Sequence, residues 1–111
     1  MTIWHPIPHN CLSVTQALQE HFDILTLVEQ MEQGVENKMT QRWARHENAL
    51  YDRYARGMDY IASKGIELID NWPYPPLAMG ANAVYPEIPF EERVDMWDAI
   101  YVMNTVIEYK Q

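Results

Sequence analysis

The sequence predicts an all-α fold: a small bundle of about three main helices with a long proline-rich connection, pairing as a homodimer. Three observations predict it. Apolar residues recur at steps of three and four along three long segments. Capping residues and glycines stand at the ends of those segments. Five of the seven prolines crowd into the stretch that runs from the second segment into the first turn of the third. The 111 residues, 48% of them hydrophobic, suffice for a single domain spanning 1–111 with a real core. So short a chain keeps much apolar material near its surface, which is one reason to expect a second copy.

The first helix is expected over 13–33. Leu18, Phe22, Leu25 and Val28 follow at steps of four and three, which lines up one helix face. Ser13 or Thr15 caps its start, and Gly34 stands where it would stop. The second is expected over 35–64, with Met39, Trp43, Leu50, Tyr54, Met58 and Ile61 as its apolar stripe. It closes on Ser63-Lys64-Gly65-Ile66, a glycine for the left-handed position followed by an apolar residue. The third is expected over 89–109. Pro89 suits a first turn, and Glu91 and Glu92 suit the positive end of the helix dipole. Val94, Trp97 and Tyr101 make one stripe and Ile100, Met103 and Ile107 a neighbouring one. A helix apolar over so wide an arc is covered from two sides, one of them by a second subunit.

The connection over 67–88 contains Trp72-Pro73-Tyr74-Pro75-Pro76 and leads into Tyr85-Pro86-Glu87-Ile88-Pro89. Proline blocks regular structure, so this is an irregular loop pinned by aromatic packing. It reads either as a structural crossover or as a docking loop whose anchors are Trp72, Tyr74 and Tyr85.

The net charge of −8 is unevenly laid out: residues 1–37 carry five acids and no Lys or Arg, 38–64 carry six bases and three acids, and 65–111 carry eight acids and two bases. Net acidity disfavours direct nucleic-acid binding. The acidic–basic–acidic order invites internal pairing or a polar binding surface. With no apolar run of about 18 residues, no basic-then-apolar start and only Cys11 as a thiol, a cytoplasmic protein outside the membrane is expected.

No nucleophile motif, glycine-rich phosphate loop or CxxC pair is present. His5 and His9 are separated by Pro-Ile-Pro, and His21 and His46 fall on different helices. No metal, no cofactor and no enzymatic activity are therefore expected. On one continuous second helix, Lys38, Arg42, Arg45, Arg53 and Arg56 would fall within a sector of about 80°, a ridge about 27 Å long. That ridge is either a solvated face with acidic neighbours or a contact for phosphate or an acidic surface. Glu91, Asp95 and Asp98 form the opposite feature on the third helix, a narrow carboxylate ridge.

Asn48-Ala49-Leu50, Tyr54-Ala55 and Ala62-Ser63-Lys64-Gly65-Ile66-Glu67-Leu68, with Val94-Asp95-Met96-Trp97-Asp98, resemble segments of the phage Ocr proteins. These are antirestriction factors that mimic DNA. The resemblance runs over about residues 47–97, on packing and capping motifs, with a gap in the proline-rich loop. It implies an all-helical dimer whose carboxylates stand in for DNA phosphates and block type I restriction–modification enzymes and related defence complexes. By position, Glu47, Glu67, Asp95 and Asp98 look like the family's acidic positions. Arg56 and Lys64 stand where the family has acids, and the chain ends Glu108-Tyr109-Lys110-Gln111 without the family's acidic tail. The expectation is a phage or mobile-element inhibitor of a host DNA-binding defence enzyme, acting through acidic surface including Glu91. The alternatives are an inhibitor or adaptor docking through the aromatic loop without mimicry, and a nucleic-acid-binding module using the basic ridge.

Overall fold

The computed structural model describes the backbone of residues 1–73 and 83–110, and side chains as far as Val102. Its regular elements are all helical, with no strand among the described residues: α1 Val14–Glu32, α2 Lys38–Trp43, α3 Glu47–Ser63 and α4 Phe90–Lys110. A short 3-10 turn, His9–Cys11, precedes them.

Local chemistry sets the helix ends. Ser13 caps α1 in a reciprocal box: its hydroxyl accepts from the Gln16 N–H at 3.1 Å, and Gln16 Oε1 accepts from the Ser13 N–H at 2.9 Å. Gly34, at φ +75°, ends the α1 region as expected. Gly65, at φ +87°, ends α3, with the Ile66 N–H returning to the Ile61 carbonyl. Asn37 and Thr40 make a second capping box at the start of α2.

The expected continuous helix over 35–64 is two helices. The chain breaks at Ala44–His46, where Arg45 takes a left-handed φ of +65°. Nothing in the local sequence marks this break, because Trp43 and Leu50 are spaced as one helix would space them. Tertiary contacts hold the turn. The Trp43 side chain is buried (1% exposed), and His46 Nδ1 lies 2.7 Å from the Val84 carbonyl. The turn redirects α2, and with it Lys38 and Arg42, toward α4.

The main core lies between α1 and α3, closed by α2: Ile24, Leu27, Val28, Trp43, Ala49, Leu50 and Tyr54, with Ile3 from the N-terminal segment. On α3 the expected stripe is inside, with Met58 half-buried. On α1 the buried face is rotated from the expected one. Ala17, Glu20, His21, Ile24 and Leu27 go in, while Phe22 is half-exposed. Seating the Glu20 carboxylate inside turns the helix by about one residue. Ile7, Leu12 and Ile100 form a second, smaller core that carries α4. Among the described residues no helix is long and apolar enough to cross a membrane.

Candidate functional site

The five bases expected on one ridge do not form one. Lys38 Nζ lies 2.9 Å from Glu92 Oε1, and Arg42 pairs with the other oxygen of Glu92. The hydrogen bond from Lys38, with that from Arg42 and the charges of both, holds the Glu92 carboxyl below the usual carboxylate range, although desolvation, second in weight to the Lys38 bond, pushes the other way. Arg56 Nε donates to Asp52 at 3.0 Å, one helical turn away. Arg45 is exposed in the break between α2 and α3. Arg53 points inward: it is 5% exposed and donates to both oxygens of Glu20, at 2.7 and 3.1 Å, and to the Ile7 carbonyl at 2.7 Å. The helix break and these pairings remove the geometry that a phosphate-tracking ridge needs.

Around Glu20 lies a titratable cluster of the kind that can carry catalysis. Glu20 also accepts from the Trp4 N–H at 2.6 Å, and His9 Nε2 stands 3.4 Å from its Oε1. Burial pushes the Glu20 carboxyl up. His9, Arg53 and Trp4 pull it down further, so the net result lies below the ordinary value. At 2% exposure Glu20 offers no atom to a substrate. Its visible work is mechanical, tying residues 4–7 to α1 and α3. Near it, Tyr85 donates to Asp52 and stacks on His5 at a ring distance of 4.1 Å. Burial, and then the Asp52 carboxylate, push the Tyr85 phenol well above its usual range.

Of the aromatic anchors expected in the connection, Trp72 and Tyr85 are half-buried. Trp72 packs on Tyr51 and Tyr54 at ring distances of 5.1 and 5.0 Å. Both are part of the interior, so as described they do not present an aromatic docking loop. Tyr74 lies outside the described residues. Apart from Phe22 on α1, the exposed aromatics among the described side chains are on α4: Phe90 (67%), Trp97 (44%) and Tyr101 (72%), with Val94 among them. The sequence signal for this face was the outer stripe Val94, Trp97 and Tyr101, to which Phe90 adds one more turn. The side chains of Met103 and Ile107, expected on the inner stripe, lie outside the described residues.

The acidic candidates are exposed. Glu91, Asp95 and Asp98 lie together on one side of α4, within about 60° of arc at 100° per residue. Glu47 and Glu67 flank opposite ends of α3, so they do not join that trio into one ridge. Eleven exposed carboxylates have no ion pair among the described residues, those of Glu29, Glu32, Glu36, Glu47, Asp59, Glu67, Asp70, Glu87, Glu91, Asp95 and Asp98. Only Arg45, Lys64 and Arg93 are bases in the same condition among the described side chains. The unpaired surface charge is therefore more predominantly acidic than the 16 acids and 8 bases of the whole sequence.

Two clefts adjoin these features. One, of about 480 Å³, opens between α1 and α3 over Val28, Met31, Leu50 and Trp72, with the exposed Glu32 and Glu47 among its walls. A shallower one, of about 360 Å³, runs beside α4 along Pro6, Phe90, Val94 and Trp97. Among the described residues no three His, Cys, Asp or Glu side chains are grouped as a metal site. No family model, no curated protein and no solved structure matches the chain.

Proposed function

We propose that the protein is a non-enzymatic inhibitor, encoded by a phage or mobile element, that binds the DNA-contacting basic surface of a host defence enzyme. One observation carries the reading: four of the cations are neutralised by carboxylates of the same chain, while most of the exposed carboxylates are not. Lys38, Arg42, Arg53 and Arg56 are each tied to a carboxylate of the same chain, while Glu91, Asp95 and Asp98 stand exposed on α4 with no ion pair among the described residues. A surface of this kind attracts a groove built to hold phosphates. The resemblance of residues 47–97 to the Ocr proteins supports the same reading; the homodimer proposed with it would double the acidic surface. The host-cell cytoplasm is where such a target would be met.

The test is a type I restriction–modification enzyme cleaving unmodified DNA in the presence of increasing amounts of the protein. Inhibition is expected, and it weakens as salt rises, because the Debye length falls from about 10 Å at 0.1 M to about 3 Å at 1 M. Neutralising the α4 trio (Glu91→Gln, Asp95→Asn and Asp98→Asn together) weakens inhibition mainly by slowing association. An unimpaired enzyme at low salt, or inhibition indifferent to both salt and the triple change, removes the reading. A second reading, docking through aromatics without mimicry, is favoured by the exposed Phe90, Trp97 and Tyr101. It predicts that Trp97→Ala abolishes binding while the triple variant binds normally at every salt concentration.

A further inference from the structure

We infer that the outward stripe of α4 is a self-association surface, on which the α4 helices of two copies lie side by side and parallel about a two-fold axis. This rests on the homodimer proposed above and adds its interface and its direction.

Phe90, Val94, Trp97 and Tyr101 follow at steps of four, three and four, the alternation that forms the seam between two supercoiled helices. All four are exposed. The helix's other apolar side, through Met96 and Ile100, is already packed on Ile7, Leu12 and Trp4. Among the described residues, α4 thus has one apolar face covered by its own chain and a second exposed. The cleft of about 360 Å³ beside Phe90, Val94 and Trp97 supplies a hollow for a side chain from a facing helix.

Charge selects the occupant and its direction. At 100° per residue, Arg93 lies about 60° to one side of Phe90, while Glu91, Asp95 and Asp98 lie about 80–140° to the other. One helix therefore carries opposite charges on the two edges of the same apolar seam. In a parallel pair, each edge meets the opposite edge of the other copy. Arg93 and Asp98 then stand five residues apart across the seam, the spacing at which flanking residues of parallel helices pair. In an antiparallel pair like edges meet, setting carboxylates on carboxylates. The stripe is self-complementary in one direction only, which is what an isologous contact requires. At about three helical turns the seam is smaller than a standard interface of about 800 Å² per partner, so the dimer dissociates on dilution through the micromolar range.

Cross-linking reads the direction. In a Cys11→Ser background, Val94→Cys faces its own copy in the parallel pair and should oxidise to a covalent dimer by itself. In the antiparallel pair, position 94 faces position 97. A cross-link formed only when Val94→Cys is mixed with Trp97→Cys overturns the parallel arrangement. Sedimentation velocity reads the interface. The unmodified protein should shift from monomer to dimer with concentration, and Trp97→Asp should stay monomeric with its helical circular-dichroism signal intact. Arg93→Asp and Asp98→Arg should each weaken the dimer severalfold, and the two together should restore it. A monomer at every concentration overturns the inference, and the restriction assay separates that outcome from the proposed function: a monomer that still inhibits leaves that function standing.

Discussion

Residues 1–12 and the outer side of α4 use the same kinds of residue in opposite ways. The N-terminal segment has almost no regular structure, yet Ile3, Ile7 and Leu12 are buried and its backbone is held by charge: Trp4 N–H on Glu20, the Ile7 carbonyl on Arg53, Thr2 N–H on Asp23. α4 is a regular helix, yet its outer aromatics and carboxylates make few described contacts with the rest of the chain. Charge in the first region fixes the fold, because a buried ion must keep its partner. Charge in the second contributes little to the fold and is available to something else. Irregular backbone is thus no guide to which part of this molecule is free to bind.

The hardest way to break that contrast is Arg53→Met. It strands the Glu20 carboxylate inside the protein and frees residues 4–7, so a loss of about 3–5 kcal/mol is expected in chemical denaturation. Adding Glu20→Gln to Arg53→Met should recover part of that loss, since the stranded charge is then gone. A single substitution costing under about 1 kcal/mol would mean that the pair does not anchor the segment.

Acid probes the same region next. Burial first, then the Arg53 charge, pushes the His5 imidazole down to about 4, with Glu20 acting the other way. The unfolded chain, near 6.5, then binds more protons than the folded one between those two values. Stability should fall as pH drops from about 6.5 toward 4. His21, also lowered, mainly by burial, adds to the slope. The Glu20 contribution has the carboxylate sign: present above the unfolded value near 4.5, and lost as pH falls through the lower folded one. His5→Asn should flatten the denaturation midpoint between pH 6.5 and 4 and leave the steeper loss below. An unchanged profile would assign the slope to other groups.

A smaller effect is expected from Tyr85→Phe, which removes the hydroxyl that donates to Asp52 while keeping the ring stacked on His5. Asp52 Oδ1 is already buried without a partner, so the loss should be about 1–2 kcal/mol, with the helical signal unchanged.

The helices were legible where local rules decide them. Gly34, Gly65 and the α3 stripe follow from capping and periodicity alone, and the α1 cap was narrowed to Ser13 or Thr15, of which Ser13 is the one used. The break at Ala44–His46 was not legible, because Arg45 is neither glycine nor asparagine, and the turn around it is held by the buried Trp43, the His46 N–H on the Trp43 carbonyl and the His46–Val84 contact. That one turn also dissolved the basic ridge, since wheel arithmetic assumes an unbroken axis. The role of residues 1–12 was hidden for a related reason: it depends on Glu20 and Arg53, 33 positions apart, meeting in the interior. A buried glutamate on an otherwise apolar face leaves no signature in spacing and turned α1 away from its expected stripe. On α4 the outer stripe Val94, Trp97 and Tyr101 is exposed and Ile100 of the inner one is buried, so the outer stripe locates the candidate surface.

The smallest expected effect on stability is the most informative about that surface. Glu91→Gln, Asp95→Asn and Asp98→Asn together remove three charges from side chains that make no ion pair among the described residues. Losing Glu91 from the first turn of α4 removes a favourable contact with the helix dipole, worth about 0.3–1 kcal/mol. Relieving the repulsion between Asp95 and Asp98, three residues apart on one face, returns a few tenths of a kcal/mol. The net change in unfolding free energy should stay within about 0.5 kcal/mol, as for surface sites generally. The same three changes should slow association with a basic target progressively, one charge at a time, and lose their effect as salt rises. A variant destabilised by 2 kcal/mol or more would place these carboxylates in the fold alongside Glu20. The contrast between the two regions would then collapse.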